Sequence, residues 1–268
     1  MNVKTFNYPL ESLAPFFYLN KRNKKNIYVF PTEKEASEFY NNFSNFVPGS
    51  SHFPAWDTLS YDSFTPSLEI QGKRLQTLHN ILVEDSFDVA MSMKSFTQKI
   101  FINDLDVIDL QISQEVDFEN LIENLVYLGY INKDRVESRG TFSIRGGQID
   151  IYPLNSEYPA RIIFNGDEVA ELKLFDYISQ RSIKNIKKVL ITPSSELFQI
   201  NKEDIYKSLK IDSKKDIDEY ELFQFSQNLE KFKTLLDFAP DGLNINIIDF
   251  NVCKETFSEI QKIEEDSF

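Results

Sequence analysis

The chain has 268 residues, of which 41% are hydrophobic and 24 are phenylalanine; this is enough apolar material for one to three packed domains and excludes a disordered chain. A formal net charge of −13 argues against a protein that coats nucleic acid over its whole surface, because such a surface must be basic to displace counterions. The single cysteine, Cys253, rules out an intrachain disulfide, and no apolar run approaches a membrane span or follows a basic signal region, so the chain reads as soluble and cytoplasmic, with no membrane partner.

Residues 1–105 read as α/β. Ile27 to Phe30 is a short buried strand behind the basic cluster Lys21-Arg22-Asn23-Lys24-Lys25, and Thr32 with Glu35 forms a capping box for a helix running to about Phe43. A second helix covers Leu68 to Leu82, with Ile70, Leu75, Leu78 and Leu82 near one face. Phe87 to Met93 reads as a strand and Ser95 to Ile100 as a short helix. Strands alternating with helices predict a parallel sheet. The eight glycines (49, 72, 129, 140, 146, 147, 166 and 242) include no G-x-x-x-x-G-K-[ST] loop, and Gly72-Lys73-Arg74 falls inside a predicted helix, so no phosphate cradle is expected.

Residues 106–196 read as a small α+β domain. Asp117 caps a helix whose apolar stripe is Phe118, Leu121, Ile122, Leu125 and Val126, and Gly129 is placed to end it. Phe142, Ile144, Ile149 and Ile151 alternate with polar residues as half-buried strands do, with a bulge or a turn at Arg145-Gly146-Gly147. Pro153 to Pro159 is a loop, Arg161 to Phe164 a strand, and Asn165-Gly166 a two-residue hairpin signal. Glu168 to Phe175 returns with Ala170, Leu172 and Leu174 on one face, and Ile186 to Ile191 is a further strand. Five of the seven arginines (135, 139, 145, 161 and 181) fall in this stretch, and residues 131–190 carry ten Lys/Arg against eight Asp/Glu. Arginine's planar fork suits carboxylates and phosphates, so the cluster reads as a recognition surface or, more plainly, as strand-surface charge.

Residues 197–268 are lysine- and aspartate-rich to about 235, with Lys207, Lys210, Lys214 and Lys215 on solvated helix and loop. Leu243 to Ile248 is a buried-type strand. Phe257, Ile260 and Ile263 mark one face of a final helix with the acidic end Glu264-Glu265-Asp266. Signs of catalysis are few. His52 and His79 lack zinc-ligand spacing, a Cys253–His pair has no supporting motif, and Trp56, Tyr61 and Phe64 read as a loop packed on the core in preference to a base-stacking platform.

Two stretches carry a specific resemblance: GTFSIRGGQIDIYP with ARIIFNGDEV and LKLFDYISQRSI, and the segment from Trp56 to Pro66 (WDTLSYDSFTP). They resemble the UvrB-homology module of the transcription-repair coupling factor (Mfd) family over roughly residues 50–195. The resemblance implies a helicase-like first domain without its nucleotide loop, a second domain like UvrB domain 2, and a last segment folding back so that strand 243–248 joins the first sheet. It further implies a non-catalytic adaptor, with no cofactor, that binds UvrA. Its implied contacts are Arg145 and Arg161, with Arg181 at the rim. The family's phenylalanine four residues beyond the second arginine falls on Asn165 here, while Phe164, one residue earlier, points to the other face. Family members are longer and carry a polymerase-binding domain and a DNA translocase, onto which the module docks to silence it. DNA would be met only through those parts, and the chain reads as a fragment of such a protein or as a natural short one. The alternatives are a UvrB- or helicase-derived fragment binding nucleotide or single-stranded DNA, and a structural domain whose arginines satisfy internal ion pairs.

Overall fold

The run Ile27-Tyr-Val-Phe30 has no charge and two β-branched residues, and it forms the middle of strand β2 (Lys25–Phe30), which is buried along nearly its whole length. The computed structural model describes residues 2–6, 9–21, 24–58, 64–100, 105–198, 203, 206–207, 221, 234–238 and 241–266. It divides into two units, residues 1–103 with 200–268, and residues 104–199.

In the first unit β2 lies in an all-parallel sheet of β1 (Asn2–Phe6), β2, β3 (Ser51–Phe53), β4 (Phe87–Ser92) and a strand from the far end of the chain, Asn244–Ile248, ordered β1, Asn244–Ile248, β2, β4, β3. The expected return of strand 243–248 to the first sheet is therefore observed. Helices α1 (Leu10–Asn20) and α2 (Glu33–Phe43) enclose an aromatic core in which Phe17, Tyr28, Phe30, Phe39 and Phe43 are buried. Residues in the alternate register, Ile27, Val29, Val89 and Met91, are buried too, as a sheet covered on both faces requires.

The Thr32–Glu35 capping box forms as predicted. Helix α3 runs from Leu68 to Val83 and buries Leu75, Leu78 and Ile81, while Leu82 of the predicted stripe is 48% exposed. The short helix after β4 begins earlier than expected, as α4 (Met93–Thr97), because Ser92 caps it through the Ser95 amide. Several elements escaped the sequence reading: β1, α1 and β3 in this unit, and the strands Ile108–Gln111, Ile131–Asn132 and Ser182–Asn185 in the other. The strand β1 is short and terminal, and α1 carries Pro15 inside it, which breaks the usual helical pattern.

In the second unit, β5 (Ile108–Gln111) is followed by α5 (Phe118–Tyr127), whose first turn is capped by the Asp117 carboxylate accepting from the Asn120 amide at 2.8 Å. Leu121 and Leu125 are buried, Phe118 and Ile122 half-buried, and Val126 is exposed, which narrows the predicted stripe. Gly129 ends the helix at φ +85, and a Cβ there would sit 2.5 Å from Ser194 Oγ. The chain then forms β6 (Ile131–Asn132), β7 (Thr141–Arg145), β8 (Gln148–Ile151), β9 (Ala160–Asn165), β10 (Glu168–Phe175), β11 (Ser182–Asn185) and β12 (Lys188–Ile191). One six-stranded sheet, antiparallel apart from β6 on β7, has the order β11-β10-β9-β8-β7-β6; β12 pairs instead with β5.

The predicted strand 186–191 thus starts later, at Lys188. The β7–β8 link is a turn at Gly146-Gly147. The pairing of Asn165 with Glu168 makes Gly166-Asp167 the two-residue loop of the next hairpin, one position beyond the predicted Asn165-Gly166. A bulge between Val169 and Glu171 resets the alternation of β10, so Val169 and Leu172 are buried and Ala170 is exposed.

In the C-terminal part, strand β13 (Asn244–Ile248) leads into α6 (Phe250–Asp266). Phe257 and Ile263 are exposed, and Cys253 is the side chain that α6 buries, among those described. Burial pushes the Cys253 thiol up to about 12. Lys210, Lys214 and Lys215 lie outside the described residues, as do Tyr61 and the side chains of Glu264, Glu265 and Asp266.

Arg74, fully buried on α3, ties the segment after β3 to the sheet. Its guanidinium lies 4.2 Å from the Phe53 ring centre and 4.8 Å from that of Trp56, and it donates to the carbonyls of Pro54 (2.9 Å) and Lys99 (3.4 Å). Trp56 is accordingly packed inside, whereas Phe64 is 59% exposed. Arg74→Ala removes both ring contacts and orphans two carbonyls, so it is expected to cost about 3 kcal/mol or more. Urea unfolding followed by the lone Trp56 fluorescence measures this, and a midpoint within error of the parent chain would contradict the anchoring role.

Candidate protein-binding site

Strand alternation divides the second unit's sheet into two unlike faces. Directly opposed residues share a face, so Phe142, Ile151, Ala160 and Leu174 form one row and Ile144, Ile149, Ile162 and Leu172 another. These rows lie in the core with Leu121 and Leu125 of α5. The intervening rows, Ser143–Asp150–Arg161–Lys173 and Arg145–Gln148–Ile163–Glu171, lie on the face away from that helix.

Arg145 and Arg161 are therefore brought together on one face, in neighbouring rows two strands apart. Arg161 is held firmly. Its Nε and Nη2 donate to Asp150 Oδ1 and Oδ2 at 2.7 and 2.8 Å, and its guanidinium carbon stands 4.7 Å over the Phe175 ring. Hydrogen bonding to Asp150 raises the Arg161 pKa further, so the group stays charged. The Asp150 side chain is 2% exposed and that of Arg161 18%, so the pair closes from below and opens at its outer nitrogen, Nη1. Arg145 is exposed and donates through Nη2 to the Asp134 carbonyl at 2.8 Å. That carbonyl belongs to the loop 133–140, which reaches this face: Val136 is buried against Tyr152 and Phe175, and Arg139 stands 5.3 Å over the Tyr152 ring.

The other predicted contacts divide. Asn165 is exposed and follows Arg161 and Ile163 in the same alternating register. Phe164 does not share the face; it is 9% exposed and meets Phe118 of α5 edge-on at 5.1 Å, so as a surface contact it is corrected to a core residue. Arg181 is exposed, just before the edge strand β11. The sequence reading missed Asp150, Phe175, Ile163 and the loop around Val136. Asp150 was findable in principle, because it falls opposite Arg161 once the two hairpins are registered.

The first unit's phosphate edge is occupied by its own carboxylates. Backbone amides at the start of α2 would suit an anion, but the Thr32 amide donates to Glu35 Oε2 at 3.1 Å. Glu33, also in the first turn, accepts from Ser92 Oγ at 2.7 Å and from the Ala55 amide at 3.1 Å, with His52 Nε2 2.9 Å away. Burial pushes the Glu33 carboxyl up, yet these donors outweigh it and hold it below the usual range. A phosphate there would meet two negative groups. In the basic cluster, Lys21 is paired with the buried Asp88. Among the described residues no cluster of His, Cys, Asp and Glu is set to hold a metal, and no helix is long and apolar enough to cross a membrane.

Residues 108–197, essentially the whole second unit, match the family described as the UvrB interaction domain. The chain is also similar to transcription-repair-coupling factors. It is 31% identical over 185 residues to that of Bacillus subtilis (58% of this chain, 16% of the relative). It is 27% identical over 270 residues to that of Staphylococcus epidermidis (88% and 23%) and 26% over 175 residues to that of Escherichia coli (63% and 15%). The second unit thus matches the UvrB interaction domain, and the chain resembles transcription-repair-coupling factors (Mfd) over up to 88% of its length. It spans less than a quarter of the length of these Mfd relatives.

Within the second unit the Asp150–Arg161 pair makes a direct prediction. Asp150→Ala leaves a half-covered guanidinium without its counter-charge; removing one member of a buried pair costs roughly 3–5 kcal/mol, and the outward opening of Arg161 places this case near the lower bound. Replacing both members, Asp150→Asn with Arg161→Gln, should recover most of that loss in denaturant unfolding. No recovery would show that the two side chains act independently.

Proposed function

We propose that this module is a non-catalytic adaptor of transcription-coupled nucleotide excision repair, and that it binds UvrA through the helix-free face of its six-stranded sheet in the manner of UvrB. The observation that carries the proposal is the pairing on that face of a pre-oriented Arg161 and an exposed Arg145, in a unit that matches the UvrB interaction domain. Arginines fixed before encounter lose little entropy on binding, and arginine is enriched among residues that dominate interfaces. Arg161 Nη1 and the free donors of Arg145 would meet carboxylates of the partner, with half-buried Ile163 between them and Asn165 in the position of the family's phenylalanine. Arg181 would be a rim contact and Phe164 a support from the core. In this reading the first unit is a helicase-like domain whose nucleotide edge is filled by Glu33 and Glu35. Contacts with a translocase or with DNA belong to other parts of the full-length relatives.

Asp150 dictates how the site is tested, because Arg161→Glu would place two carboxylates together and unfold the sheet. Arg145→Glu alone and the neutral pair Asp150→Asn/Arg161→Gln change the face without that clash. Calorimetry against purified UvrA is expected to give micromolar or tighter binding for the parent chain and a loss of about tenfold or more for each variant, the scale of one lost charged interface contact. Unchanged affinity in the folded variants would refute the assignment. ATP turnover or measurable nucleotide affinity by the isolated module would favour the degenerate-ATPase alternative.

A further inference from the structure

The strongest concentration of uncompensated charge lies outside the proposed UvrA face. Residues 181–188, RSIKNIKK, carry four cations and no acid in a chain of net charge −13. Arg181, Lys184, Lys187 and Lys188 are all exposed, and among the described residues no carboxylate forms an ion pair with any of them. These residues surround β11, which is the terminal strand of the six-stranded sheet.

The backbone there is open as well. Lys184 is paired with Leu174, and the Ile186 amide donates to the Leu172 carbonyl at 2.9 Å. Alternate residues of an antiparallel strand turn their amides and carbonyls to opposite sides, so Asn185 presents its own away from β10, where no strand follows among the described residues; a bulge interrupts the alternation at Ile183. Two apolar side chains accompany this edge, Ile183 (47% exposed) and Ile178 (70%). Lysine on an edge strand often serves only to prevent aggregation, but that purpose does not account for four cations in eight residues beside exposed isoleucines.

We propose that the β11 edge is a docking site for an acidic, extended polypeptide segment of a partner protein, which adds as a further strand. Main-chain hydrogen bonds to Asn185 supply the pairing, and carboxylates spaced along the segment meet Arg181, Lys184, Lys187 and Lys188. A nucleic-acid backbone would satisfy the cations, and its phosphates could accept from an edge amide, but they have no donor for the edge carbonyls. The proposal does not rest on the UvrA reading, whose central arginines, Arg145 and Arg161, lie on the sheet's face; the two readings share only the rim residue Arg181.

The test uses fluorescence anisotropy of the full chain with three probes: a labelled dodecapeptide alternating Glu and Thr, the same peptide with alternate backbone N-methylation, and oligothymidine of equal charge. The unmodified peptide should bind best and the other two roughly tenfold or more weaker. Lys184→Gln/Lys187→Gln should weaken the peptide, and so should Asn185→Pro, which deletes an outward amide on an edge strand that tolerates proline. Arg145→Glu should leave it unchanged. Circular dichroism melting confirms that each variant is folded, and the N-methylated peptide tests the pairing on the parent chain if Asn185→Pro melts early. Equal binding of the N-methylated peptide, or oligothymidine binding as tightly, would overturn the proposal, as would failure of the unmodified peptide to bind at low salt.

Discussion

The bidentate pair between Asp150 and Arg161 is what the helix-free face of the second unit depends on. It joins β8 to β9, holds a guanidinium flat against Phe175, and places Tyr152, Phe175 and Val136 in one small cluster beneath the loop 133–140. The loop in turn offers the Asp134 carbonyl to Arg145. Orientation of both arginines is therefore settled within the chain, before any partner arrives. The cost of burying Asp150 is offset only while Arg161 stays charged and in place, which makes the same contact both a structural tie and the floor of the proposed recognition surface.

The two units use charge differently. In the first, several ionic groups turn inward or cap helices: Asp88 is buried with Lys21, Asn26 and Tyr28 around it, Glu33 accepts from Ser92 and Ala55 beside His52, and Arg74 is sealed between two rings. Such arrangements fix an α/β scaffold, and at the start of α2 they put carboxylates where a phosphate would otherwise be welcome. In the second unit, cations face outward on the sheet and at its edge. In a chain of net charge −13, exposed cations set close together on one sheet and its edge favour the approach of an acidic partner there.

Much of this was legible in the residues. Period-two alternation in 142–151 and 161–174 separated the sheet's faces well enough to place Phe164 opposite Arg161, and Asp117 and Gly129 marked both ends of α5. Capping chemistry at Thr32 and Glu35 was equally plain. The rest depended on facts that no local pattern contains. The bulge at Ala170 inverts the alternation of β10, and the hairpin closes on Gly166-Asp167 because Asn165 stays in the ladder. The Asp150–Arg161 contact follows from the register between two strands separated by an eight-residue loop. Pro15 concealed α1, and a lone arginine on a helix, Arg74, gave no sign that it would be the most deeply enclosed charge in the first unit.

The central claim is that the helix-free face of the sheet meets UvrA, and side-chain footprinting by hydroxyl radicals tests it most directly. Ile163 lies on that face, whereas Val126 and Tyr127 are exposed on α5 on the other side. Addition of UvrA is predicted to protect Ile163 and to leave Val126 and Tyr127 labelled as before. Protection of Val126 and Tyr127 with Ile163 unchanged would place the partner on the wrong side of the sheet and contradict the account.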